Sequence, residues 1–87
     1  MGNKKTYVEV YIPKPELTIY RDTFLKCVLV KEEKNQQSRL KIISVHTGKG
    51  GLLADLTAER VDEVLLVDNE DVFHSIEEMR QVLINQI

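Results

Sequence analysis

The sequence has a single cysteine, no tryptophan and no long apolar run among its 87 residues. Because Cys27 has no second cysteine to pair with, the chain forms no internal disulfide and no cysteine-based zinc site. No uninterrupted apolar stretch is longer than the four residues of 64–67, whereas a membrane-spanning helix needs about 20. The start of the chain also lacks the apolar core of a signal peptide, since Glu9 interrupts it. These absences predict a cytoplasmic protein without membrane contact.

Residues that commonly perform catalysis or bind metals are also sparse. The chain has two histidines, His46 and His74, which are far apart in sequence, and a metal site needs three or four suitably spaced ligands. The carboxylates of residues 68–71 lie where a helix start favours negative charge, so capping explains them. The sequence therefore predicts neither a metal nor a cofactor, and it favours a non-enzymatic function.

The chain is long enough for one α+β domain, residues 1–87, in which residues 1–5 form a flexible N-terminus. A domain of this size buries only about two-thirds of its unfolded surface, so one core is expected. Residues 6–12, 23–31 and 39–46 are rich in β-branched and aromatic residues, as strands are. Helical spacing follows at residues 52–61. A second helical stripe comprises Val72, Phe73, Ile76, Met79, Val82, Leu83 and Ile87.

Residues 62–67 fit either a short buried strand or a continuation of the preceding helix. We favour the strand, because the apolar run would cover a helix on all sides. The order β-β-β-α-β-α then predicts a mainly antiparallel four-stranded sheet with both helices packed on one face. The alternative is a small β-barrel in which residues 52–57 and 62–67 are both strands and only the C-terminal helix is kept.

The third predicted strand does not alternate cleanly between apolar and polar residues. Its apolar positions are Leu40, Ile42, Ile43 and Val45. Strands that are covered on both faces carry apolar residues on both and so lose the regular alternation. The pattern therefore predicts a central strand with neighbours on both faces.

Charge is divided unevenly along the chain. Residues 1–50 contain ten basic and five acidic residues, and residues 51–87 contain two basic and nine acidic residues. Tyr7 and Tyr11 are predicted on one face of the first strand, where Lys26 or Lys41 can lie beside them. This face predicts contact with another protein or a second copy of the chain. The alternative partner is single-stranded nucleic acid, with lysines on phosphates and rings on bases, but the acidic sequence pI near 5.6 disfavours it.

A glycine cluster joins the third strand to the first helix. It reads Thr47-Gly48-Lys49-Gly50-Gly51, and backbone N–H groups in such turns can hold an anion or a phosphate. The spacing fits neither the P-loop nor the dinucleotide fingerprint, so a simple turn is the favoured interpretation. The leading functional hypothesis is a small self-associating interaction or regulatory module. Nucleic-acid binding and phosphate binding at Gly48–Gly51 are the alternatives.

Overall fold

A computed structural model describes residues 8–13 and 22–86 of the chain. The predictions for residues 1–5, for Tyr7 and for Ile87 lie outside these residues. Four antiparallel strands form one sheet in the order β1-β2-β3-β4. The elements are β1 (Glu9–Ile12), β2 (Thr23–Glu33), β3 (Gln37–Thr47), α1 (Ala54–Arg60), β4 (Val64–Asp68), a 3-10 turn (Asn69–Asp71) and α2 (Ile76–Gln86).

The predicted α+β class, the four-stranded antiparallel sheet and the order of elements are confirmed. Residues Val64–Asp68 form a strand, which decides between the two interpretations of that segment. The barrel alternative placed a strand at residues 52–57, whereas Ala54–Arg60 is a helix. Alanine, leucine, glutamate and arginine dominate that segment, and all four favour helices.

The long hairpin of β2 and β3 contains a bulge that explains the irregular apolar pattern of β3. Lys26 pairs with Ser44, but the next residue, Cys27, pairs with Ile42. Ile43 is therefore an extra residue on β3, and the bulge resets the alternation of side chains. As a result Ile42 and Val45 both face the main core. β3 is central, as predicted. Its broken alternation, however, is due to the bulge at Ile43 and not to apolar residues on both of its faces.

The main core lies on one face of the sheet, which we call the core face. Leu53 and Leu56 from the region of α1 pack against it. Each fully buried aliphatic side chain contributes about 1.5–3 kcal/mol, so this cluster is the chief source of stability. The buried members are Val10, Ile12, Leu25, Cys27, Leu40, Ile42, Val45 and Val67.

A second, smaller cluster lies on the opposite face, which we call the outer face. Phe24 packs there with Met79 and Leu83 of α2, and Tyr11 borders the cluster. Tyr11 lies between Val10 and Ile12, which face the main core, so its side chain points to the other side of the sheet. The expectation that both helices share one face is therefore wrong: α1 contacts the core face and α2 the outer face.

The last helix starts later than its apolar stripe suggested. Phe73 is extended, and it exchanges backbone hydrogen bonds of 2.8 and 3.0 Å with Tyr11. α2 begins at Ile76, and the Ser75 hydroxyl accepts a 3.5 Å hydrogen bond from the Glu78 N–H. Val72 and Phe73 are thus apolar residues of a connecting segment. Neither helix of the described chain has the length and apolar content required to span a bilayer.

Candidate functional site

Tyr11 of the predicted aromatic face is half-buried. Its ring meets Phe24 edge-on, with centroids 6.0 Å apart and planes at 72°. Its backbone is paired with Phe73 on the outer side of β1, so the edge of β1 is covered at this point. This placement removes much of the ring surface that base stacking needs. Nucleic-acid binding stays a prediction, with less structural support than the sequence indicated.

The two lysines of the same predicted face have acidic neighbours. Lys26 Nζ lies 3.5 Å from Glu9 Oε1, and Lys41 Nζ lies 3.7 Å from Asp62 Oδ1. All four side chains are substantially exposed, so each pair contributes little to stability. Both pairs do reduce the positive potential that a phosphate backbone would meet.

The division of charge along the sequence becomes an interleaved pattern in the fold. β4 belongs to the acidic half, yet it pairs directly with β3 of the basic half. The Lys41–Asp62 pair joins the two halves at the start of β4. The described chain therefore has basic and acidic residues side by side at this edge of the sheet.

Most backbone N–H groups of the glycine turn donate to other groups of the protein. The Gly48 N–H donates to the Asp22 carbonyl at 2.9 Å and the Gly50 N–H to the Thr47 carbonyl at 2.8 Å. The Gly51 N–H donates to Thr47 Oγ1 at 3.0 Å. Gly50 has a φ of 102°, the conformation for which glycine is suited. An anion at this turn would thus depend on side chains such as Lys49 more than on a cradle of free amides.

Arg80 of α2 extends over the same turn. Its Nη2 donates a 3.2 Å hydrogen bond to the Lys49 carbonyl. A surface cavity of about 410 Å³ lies there, bordered by both cations and by Leu83 and Ile84. Asp22 also lines this cavity, and its carboxylate opposes a bound anion. The phosphate hypothesis at Thr47–Gly51 stays a prediction, carried by Lys49 and Arg80.

Ser44 and His46 form an arrangement that sequence reasoning missed. Ser44 Oγ lies 2.7 Å from His46 Nε2, and His46 Nδ1 lies 3.1 Å from the Gly50 carbonyl oxygen. The imidazole stacks on Phe24, with centroids 5.2 Å apart and planes at 10°. Residues two apart on a strand share a face, so the Ser-x-His spacing was the available signal.

The edge of the sheet formed by β4 is open among the described residues. Antiparallel strands alternate residues that bond to the neighbouring strand with residues that point away from it. The Ile42 N–H donates to Glu63, and the Asp62 N–H donates to Ile42. With the observed register, Leu65 and Val67 bond towards β3, and the backbone groups of Val64 and Leu66 point outwards.

The side chains along this edge are apolar and exposed. Val64 is 48% exposed and Leu66 is 51% exposed. Because Leu65 and Val67 pack on the core face, Val64 and Leu66 lie on the outer face, beside Lys41 and Arg39 of β3. We call Val64 and Leu66, with the outward backbone of β4, the β4 edge. It has outward-pointing backbone hydrogen-bonding groups together with exposed apolar side chains, a combination that soluble proteins normally avoid.

Within residues 8–13 and 22–86, no three His, Cys, Asp or Glu side chains come together as a potential metal site. Comparisons with protein-family models, curated proteins and solved structures find no match for the chain. The residues themselves therefore carry the functional argument.

Proposed function

We propose that the protein is a self-associating interaction module in which the β4 edge pairs with the β4 edge of a second copy. The observation that carries this proposal is the outward backbone of β4 together with the exposed side chains of Val64 and Leu66. β-Strand addition supplies backbone hydrogen bonds, and alternate side chains supply specificity. The sequence suggested self-association through the edge at Tyr11, which Phe73 covers. The proposed contact uses the opposite edge of the sheet instead.

A two-fold axis at Leu66 gives a self-complementary contact. Leu66 then pairs with its own copy, and Val64 pairs with Asp68 of the second copy, which yields about six backbone hydrogen bonds between the chains. The two sheets become continuous, and the apolar side chains on the outer face gather at the axis. Closed two-fold pairing also covers both edges at once, as isologous dimers do.

Charge on the outer face agrees with this register. Lys41 lies directly beside Val64, so in this register it shares a cross-strand row with Asp68 of the second copy, in addition to its exposed pair with Asp62. Arg39 lies beside Leu66, so the two Leu66 side chains meet between two arginines. The strand has five residues, and contacts of this size give weak, concentration-dependent dimers.

Light scattering coupled to size exclusion, over a concentration series, tests the proposal. The wild type is expected to shift from monomer to dimer as concentration rises. Leu66→Lys places two like charges at the axis and is expected to give monomer at every concentration. Val30→Lys is the matched control, because Val30 is similarly exposed at 54% but lies on the interior strand β2.

Two results would count against the proposal. One is a wild type that stays monomeric up to the highest soluble concentration. The other is an equal loss of dimer in Leu66→Lys and Val30→Lys, since a general effect of added charge would then explain both. Circular dichroism on each variant checks that the fold is retained.

A further inference from the structure

The hydrogen bonds around His46 define its tautomer. The Gly50 carbonyl oxygen only accepts hydrogen bonds, so the neighbouring Nδ1, 3.1 Å away, carries the proton of the neutral ring. Nε2 is then the acceptor, and the Ser44 hydroxyl, 2.7 Å away, donates to it. A hydroxyl that donates to an imidazole held by a third group is the arrangement of an activated nucleophile.

We propose that Ser44 is a nucleophilic serine, with His46 as its general base, and that it transfers acyl groups from small esters to water. The site lies on the outer face and is separate from the β4 edge, so this inference does not rest on the proposed function. It assigns an activity to a serine and a histidine for which the sequence predicted no catalytic role.

The surroundings of the pair support the role. Stacking on Phe24 fixes the plane of the imidazole, and the Gly50 carbonyl fixes its rotation, as an orienting group does for the base of a catalytic triad. Lys26 pairs with Ser44 in the strand register. Its ammonium lies 3.5 Å from Glu9 Oε1, and it has to leave this exposed ion pair to stabilise the negative charge that develops on the oxygen of the carbonyl that Ser44 attacks.

The reaction balances with water as the only co-reactant. Ser44 Oγ forms a bond to the carbonyl carbon while its proton moves to His46 Nε2. The carbon–oxygen bond to the leaving alcohol then breaks, and the alcohol departs with that proton. A water molecule gives a proton to His46 and attacks the acyl-serine. The acyl group then leaves Ser44 as the carboxylic acid, and the proton held by His46 returns to Ser44 Oγ. No oxidant or reductant is involved.

An alkyl fluorophosphonate probe tests the proposal, because it reports the nucleophile directly. Ser44 Oγ attacks phosphorus and fluoride leaves, while the serine proton passes through His46 to solvent. Peptide mapping by mass spectrometry is expected to place the label on Ser44. We expect labelling at least about 100-fold faster in the folded protein than in urea-unfolded protein, the lower end of general-base acceleration. Hydrolysis of a small activated ester is expected to depend on the same residues.

Variants separate activation from accessibility. His46→Gln keeps a hydrogen-bonding side chain but removes the base, and it is expected to reduce labelling to the unfolded rate. Ser38→Ala is a control for the loss of a serine hydroxyl elsewhere in β3: the Ser38 hydroxyl is buried and donates to Asn69 Oδ1 at 2.5 Å, so labelling of Ser44 should not change. Equal labelling of Ser44 in folded and unfolded wild type would overturn the proposal without relying on any variant. Undiminished labelling in a folded His46→Gln variant would also overturn it.

Discussion

At the scale of single residues, Cys27 shows how burial alters chemistry in this fold. Its side chain is fully buried in the main core, and desolvation raises the pKa of Cys27 from 9.0 to about 12, against the opposing charge of Arg60. The thiolate is the reactive form of cysteine. The folded protein is therefore expected to keep this thiol neutral and inert at ordinary pH.

This raised pKa predicts a loss of stability in alkaline solution. The unfolded chain releases the thiol proton near pH 9, whereas the folded chain retains it to about pH 12. The contribution of the neutral Cys27 thiol to the free energy of unfolding is fully present below pH 9, and it is lost as the pH rises towards the folded pKa. At about pH 10.5 the loss is about 2 kcal/mol, since one pKa unit corresponds to about 1.4 kcal/mol.

Urea unfolding at about pH 8 and about pH 10.5 measures this effect, with Cys27→Ala as the control. The alanine substitution lowers the free energy of unfolding because it leaves a cavity, and this effect is independent of pH. Both proteins lose some stability through other groups, and the wild type is expected to lose about 2 kcal/mol more. Parallel losses in the two proteins would show that Cys27 ionises alike in the folded and unfolded states.

At the scale of elements, the β2–β3 turn is the place where local sequence fits its conformation least well. Asn35 and Gln36 have φ values of 65° and 60°. Asparagine tolerates this left-handed region, whereas it costs other residues about 1–2 kcal/mol, and glycine avoids that cost. Gln36→Gly is expected to stabilise the protein by about 0.5–1 kcal/mol, because glycine's greater unfolded-state entropy offsets part of the gain.

Thermal unfolding checks this prediction, with Gln37→Gly as the neighbouring control. Gln37 lies in extended β3, and its amide donates a 3.0 Å hydrogen bond to Asp68. Glycine there removes that bond and weakens a strand, so the melting temperature should fall. A lower melting temperature in Gln36→Gly as well would mean that the turn does not hold Gln36 under strain.

Element boundaries also show how far the sequence predicts the fold. Period-two alternation predicts β2 well, and the apolar run at residues 64–67 predicts β4, because both depend on local patterning. The bulge at Ile43 depends on the register in which β3 pairs with β2, which the sequence of β3 alone does not reveal, so its local pattern suggested coverage on two faces. Phe73 fits a helical stripe by spacing, but its pairing with Tyr11 holds it extended.

The candidate sites were harder to predict than the elements. The Thr47–Gly51 turn was predicted as a turn, and glycine at position 50 serves a positive φ. The Ser44–His46 contact follows from strand spacing, yet its orientation depends on the Gly50 carbonyl and the Phe24 ring, which only the tertiary structure brings together. The openness of the β4 edge likewise depends on which strand ends the sheet, a property of topology.

At the scale of the whole molecule, the two edges of the sheet are treated differently. Phe73 pairs with β1 at Tyr11, whereas β4 has β3 as its only strand partner among the described residues. Acidic residues Asp62, Glu63 and Asp68 flank the apolar centre of β4. Charges beside an exposed edge oppose indiscriminate strand addition. Strand pairing in the one register centred on Leu66 is therefore the favoured contact.

Hydrogen exchange of individual backbone amides at low and high protein concentration tests this central claim most directly. The amides of Leu65 and Val67 bond within the sheet and should be protected at both concentrations. The amides of Val64 and Leu66 point outwards, so they should exchange quickly at low concentration and become protected as the dimer forms. Protection of Val64 and Leu66 that does not change with concentration would contradict pairing through the β4 edge.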